Sequence, residues 1–117
     1  MNIVIIEQNK IFRESLKTVL NQIPDFEVVF DADNNWYPEE MSNVVVNLIL
    51  IDYSFGKTKC NEAMNKALLI WGSTVKFLFL TDYKEECANN NIKTSDIILK
   101  HSSKKEFENK IRKHQLH

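Results

Sequence analysis

Residues able to do phosphoryl chemistry follow or close short apolar runs: Glu7 and Gln8 after the first, Asp52 after the third, Thr81 after the fourth and Lys100 after the fifth. If those runs are strands of one sheet, all of these residues converge on one rim. Two acids, a hydroxyl and an ammonium clustered there can hold a divalent cation and a phosphoryl group. Carboxylates ligate Mg²⁺, while hydroxyl and ammonium bind phosphoryl oxygens. Phosphoryl transfer asks for little more, because its catalysis is mostly positioning and charge neutralisation. Each residue also has a plain structural use: Asp52 as a loop or cap residue, Thr81 as a strand-end hydroxyl, Lys100 as a solvated charge. A strand ending in aspartate, as LILID does, is common. The ordered set Asp52, Thr81, Lys100 at successive strand ends carries the specificity.

The elements that must position these residues follow from periodicity. Residues 3–6, 26–30, 48–51, 75–80 and 97–99 are short runs rich in Ile, Val, Leu and Phe, suited to strands of a parallel sheet covered on both faces. Phe12, Leu16, Val19, Leu20 and Ile23 recur at helical spacing up to Pro24, which predicts an amphipathic helix with its stop signal. Cys60, Ala63, Met64, Ala67, Leu68 and Trp71 repeat the pattern before Gly72, and Phe107 with Ile111 does so near the end. Trp36, Tyr37, Met41 and Val44 give a rough helical stripe over residues 34–46, interrupted by Pro38, and residues 83–91 read as a short helix fraying in three asparagines. Strands alternating with helices imply one parallel sheet. The expected fold is α/β and flavodoxin-like, a doubly wound five-stranded parallel sheet of order 2-1-3-4-5 with helices on both faces. No repeat or linker divides residues 1–117, so one domain is expected.

Composition narrows the function classes. The chain of 117 residues is 44% hydrophobic and 26% charged with a net charge of -1, a globular profile with no excess charge for gripping nucleic-acid phosphates. No apolar run approaches the roughly 18 residues of a membrane span, and Met1 leads into Asn-Ile-Val without a basic signal-peptide start. A cytoplasmic domain without membrane contact is expected. Cys60 and Cys87 share no CxxC spacing and read as reduced helix residues facing the core.

Five segments carry a likeness to a known family: IVIIEQN, IFRESLKTVLNQIPDFEVV, LILIDYS, FLFLTD and DIILKHSS. Together they resemble the receiver domains of two-component response regulators over nearly the whole chain. IFRESL and PDFEVV look most like the LuxR-type subgroup. The resemblance implies that Asp52 accepts phosphate from a histidine kinase or phosphotransfer protein and that Thr81 and Lys100 contact the phosphoryl group. It also implies that Mg²⁺ is held by Glu7, Gln8, Asp52 and the Ser54 carbonyl.

The chain departs from the family pattern at several of these places. Gln8 stands where a second acid is usual, so Mg²⁺ binding should be weak. Phe55-Gly56 replaces the usual Met-Pro, and Asp82 replaces a small residue. Ile97 replaces an aromatic one, and the span from Thr81 to Lys100 is short. An alternative reading follows: a degenerate pseudo-receiver acting as a phosphorylation-independent interaction module. No helix-turn-helix pattern accompanies the domain, so it either stands alone or works with an output domain outside this sequence.

Other motifs are weaker. Gly56-Lys57-Thr58 resembles the end of a P-loop, but Ile51 stands where the first glycine is required. His101, His114 and His117 cluster near the C-terminus, and His114 with His117 has i,i+3 spacing, more usual for a solvated face than a metal site. Lys104, Lys105, Lys110, Arg112 and Lys113 make the last helix basic, either as a solvated face or as a docking surface for an acidic partner.

Overall fold

The computed structural model describes residues 1–115. Five parallel strands, β1 (Asn2–Ile6), β2 (Glu27–Ala32), β3 (Leu48–Asp52), β4 (Lys76–Thr81) and β5 (Ile97–Leu99), form one sheet of order β2-β1-β3-β4-β5. Helices α1 (Lys10–Asn21), α2 (Lys57–Trp71), α3 (Lys84–Ala88) and α4 (Lys104–Gln115) cover it.

Why the strands read as continuous apolar runs is plain from their two faces. Successive side chains alternate across a strand, and here each side meets a core. Ile3, Ile5, Leu48, Leu50, Leu78 and Leu80 pack with Leu16 and Leu20 of α1 and with Phe107 and Ile111 of α4. Val4, Ile6, Ile49, Ile51 and Phe79 face the other way, toward Cys60 and Ala67 of α2 and Cys87 of α3. The central strands therefore have no solvated side. Both cysteines are free and buried, as expected. No helix among the described residues is long and apolar enough to cross a membrane.

Two expectations fail in the connections. Residues 34–46 hold no α-helix, only a 3₁₀ turn at Pro38–Met41. Proline holds the residue before it extended, and Tyr37 is so (φ -119°, ψ 91°). Tryptophan packing anchors the segment instead: Trp36 stacks on Trp71 with ring centroids 6.4 Å apart, and Trp71 Nε1 donates to the Val44 carbonyl at 2.7 Å. The helix expected at residues 83–91 is confined to Lys84–Ala88. Beyond it Asn91 turns into the left-handed region (φ 62°), which asparagine tolerates better than most residues. Tyr83, just before that helix, is 70% exposed, and Cys87 is the helix's buried residue.

Candidate functional site

The strand ends bring Glu7, Asp52 and Lys100 into direct contact. Lys100 Nζ lies 2.8 Å from Glu7 Oε1 and 2.9 Å from Asp52 Oδ1. Glu7 is fully buried and Asp52 is 1% exposed, so the ammonium neutralises two desolvated carboxylates at once. Local backbone completes the cradle. The Ser54 amide donates to Asp52 Oδ1 at 2.9 Å, the Gln8 amide approaches Oδ2 at 3.4 Å, and the Asn9 amide donates to Glu7 Oε2 at 2.8 Å. Gln8 and Ser54 thus reach Asp52 through backbone, while both residues are exposed.

One positive and two negative charges leave an excess negative charge in a dry site. A proton can remove it. Burial, and then the neighbouring Asp52, lift the Glu7 carboxyl above its ordinary range, against the pull of Lys100 and the Asn9 amide. Burial also works against ionised Asp52, but hydrogen bonds from Glu7, Lys100 and the Ser54 amide outweigh it and hold Asp52 below its ordinary range. Burial opposes the Lys100 ammonium too, and the two carboxylates outweigh it, raising that group. The three groups are thus coupled, with Glu7 the carboxyl that takes up a proton more readily and Asp52 the one held ionised.

A divalent cation is the other means of neutralisation, and the donors suit one. Glu7 Oε1 is buried and faces Lys100 outside hydrogen-bond alignment, leaving a hard oxygen donor beside the Asp52 carboxylate. No third His, Cys, Asp or Glu joins them among the described residues, so Mg²⁺ would rely on neutral oxygens and water for the rest.

No family model matches the chain, and no curated protein matches it. Solved structures do match. The crystal structure of the P1 domain of CheA3 in complex with CheY6 from R. sphaeroides contains a chain aligned at TM-score 0.78 and 18% identity, covering 99% of this chain and 97% of that one. The response regulatory domain of protein mrkE from Klebsiella pneumoniae aligns at TM-score 0.70 and 19% identity, covering 99% and 96%. A DNA-binding response regulator of the LuxR family from Staphylococcus aureus aligns at TM-score 0.66 and 19% identity, covering 97% and 98%. The chain has the receiver-domain fold.

Within that receiver fold, Thr81 stands apart from the charged trio. Its hydroxyl lies 3.1 Å from the Tyr83 carbonyl and 3.3 Å from Glu86 Oε2, and accepts from the Tyr83 amide at 3.2 Å. It is engaged with α3, and its link to Lys100 runs through backbone, the Lys100 amide donating to the Thr81 carbonyl. Asp82 is exposed beside it, and Ile97 is 4% exposed.

Sequence reasoning missed three supports. Asn9 caps α1 by accepting from the Phe12 amide, and Arg13 fixes the strand end by donating to the Glu7 carbonyl at 2.7 Å while pairing with Asp31. Phe12 places its ring 5.8 Å beneath the Lys100 ammonium. An asparagine just before an apolar helical repeat was a readable cap signal. The Arg13 to Asp31 pairing depends on tertiary placement and had no sequence signature.

The histidine and basic-helix patterns resolve differently. His114 Nε2 lies 3.1 Å from Asp96 Oδ1, His101 is exposed, and His117 lies outside the described residues. Arg112 pairs with Glu108, donates to the Pro24 carbonyl and covers the Phe26 ring at 4.8 Å. Lys104 donates to Gln22 Oε1. Much of the last helix's charge is committed to its own chain.

Proposed function

We propose that this chain is a receiver switch phosphorylated on Asp52 by a histidine kinase or phosphotransfer protein in the cytoplasm, resembling the LuxR-type subgroup, with or without an output domain. The observation that carries the reading is the buried Asp52 carboxylate bridged by Lys100 at the carboxyl end of the central strand. Fold alone would not suffice, since one fold hosts many functions.

The chemistry divides among the chain's own residues. Asp52, held ionised, presents an oxygen to the phosphorus of a phosphohistidine, and the phosphorus–nitrogen bond to the donor breaks as the acyl phosphate forms. Lys100, released from its bridge to Asp52, moves its contact to a phosphoryl oxygen. Thr81 joins only after its hydroxyl leaves Tyr83 and Glu86. Mg²⁺, held by Glu7, Asp52 and the Ser54 carbonyl with Gln8 as a neutral donor, would supply charge neutralisation for the transferring group.

Intact-mass spectrometry after incubation with acetyl phosphate and Mg²⁺ tests this. One phosphate should add to the wild type and none to Asp52→Asn. A wild type that gains nothing supports the second reading, a phosphate-independent interaction module. The engaged Thr81 hydroxyl and the exposed, neutral Gln8 favour that reading.

A further inference from the structure

Because α3 ends at Ala88, the α2 side of the sheet is left uncovered beside β4 and the approach to β5. A cavity of about 570 Å³ lies in the gap, floored by Met64, Phe77 and Phe79 and rimmed by Lys110, Lys113 and His114. A second hollow of about 250 Å³ shares Met64, Phe79 and Asp96 as walls and continues to Tyr53. Volumes of this order accept small organic molecules.

The rim has the wrong charge balance for an empty surface. Among the described residues Asp96 is the single acid lining the larger cavity, and His114 already occupies it at 3.1 Å. Lys110 donates to the Thr94 carbonyl, and exposed Lys113 has no hydrogen bond or ion pair among the described residues. Burial, followed by Lys84 and Lys113, holds the Lys110 ammonium below its ordinary range against the pull of Asp96. Among the described residues two buried polar atoms along the groove also have no hydrogen-bond partner: His114 Nδ1, on a side chain only 9% exposed, and the Tyr53 hydroxyl. Such atoms are rare in folded proteins and call for a partner.

We propose that this groove binds a small organic anion, its apolar body laid over Met64, Phe77 and Phe79 and its anionic head held by Lys113 and Lys110. The site is separate from the Asp52 pocket and does not rest on phosphorylation there. A concave apolar floor favours a small molecule over a flat protein partner, and the cationic rim favours an acid over a neutral lipid or sterol.

Amide NMR titration of the full chain tests it with three probes: naphthalene-2-carboxylate, its neutral analogue 2-naphthalenemethanol, and inorganic phosphate. The carboxylate should give saturable shifts centred on Phe77, Phe79, Thr94 and His114, with the alcohol and phosphate each binding about tenfold more weakly or worse. Lys113→Glu, a change at an exposed residue, should weaken the carboxylate by about tenfold and leave the alcohol unchanged. No saturable shift with millimolar carboxylate would overturn the proposal. So would equal binding of the alcohol, equal binding of phosphate, or indifference to Lys113→Glu.

Discussion

At the scale of single residues the site is governed by a charge imbalance: two buried carboxylates share one ammonium. Removing Asp52 as Asp52→Asn takes away the neighbour that disfavours ionised Glu7 while leaving Lys100 in place. The Glu7 carboxyl should then titrate lower than in the wild type, toward its ordinary range, as followed by carbon NMR of the glutamate side chain; an unchanged or higher value would mean burial alone sets it. Removing the cation is more severe. Lys100→Met leaves two carboxylates without their counterion and should cost about 3 kcal/mol at neutral pH. The sign with pH follows from linkage. Without Lys100 the Glu7 carboxyl loses a group that lowers it and rises further above its unfolded value, so stability is lost as pH rises through that folded value and recovered on acidification. Urea unfolding should therefore show the gap between variant and wild type narrowing from pH 7 toward about pH 4. A gap constant with pH would mean Lys100 acts through packing on Phe12 alone. Glu7, Asp52 and Lys100 were legible because each sits at a strand end, where topology dictates convergence. The direction of the Thr81 hydroxyl was not, since it depends on how the following turn places Tyr83 and Glu86.

Elements with strong periodicity were readable and those dominated by turn chemistry were not. The β4 and β5 runs stand within a residue of their expected places, and α2 ends at Trp71 as its stripe does. The 34–46 stripe misled because aromatic spacing that mimics a helix here serves a stack between Trp36 and Trp71. The shortness of α3 has a dynamic consequence. Its one buried apolar anchor is Cys87, and segments with few buried contacts open readily. Thr81 must break its bonds to Tyr83 and Glu86 before it can reach a phosphoryl group, whereas Ile97 is buried, β-branched and stiff at χ1. With beryllofluoride as phosphoryl mimic, hydrogen exchange should change in the turns after Asp52 and Thr81 and stay nearly constant in β5. New protection across β5 with tighter self-association would show instead that a change at Asp52 passes through that strand.

Across the whole molecule, two cores share one sheet. The alternation that made the strands read as uninterrupted apolar runs also binds the cores to each other. Ile49 belongs to one core while its chain neighbours Leu48 and Leu50 belong to the other. Loss of packing on either face must therefore loosen the backbone that both use, and unfolding should be a single cooperative transition. The two tryptophans offer a clean test because both lie on the α2 face, Trp36 within that core and Trp71 packed against it. Ile111, fully buried on α4, lies on the opposite face. Replacing it, Ile111→Ala, deletes side-chain volume far from either indole and should cost about 3 kcal/mol. In urea, tryptophan fluorescence and far-ultraviolet circular dichroism should report the same lowered midpoint for this variant. If fluorescence kept the wild-type midpoint while the helical signal moved, the α1 and α4 layer would unfold apart from the α2 layer. The shared sheet would then not be transmitting stability between its faces.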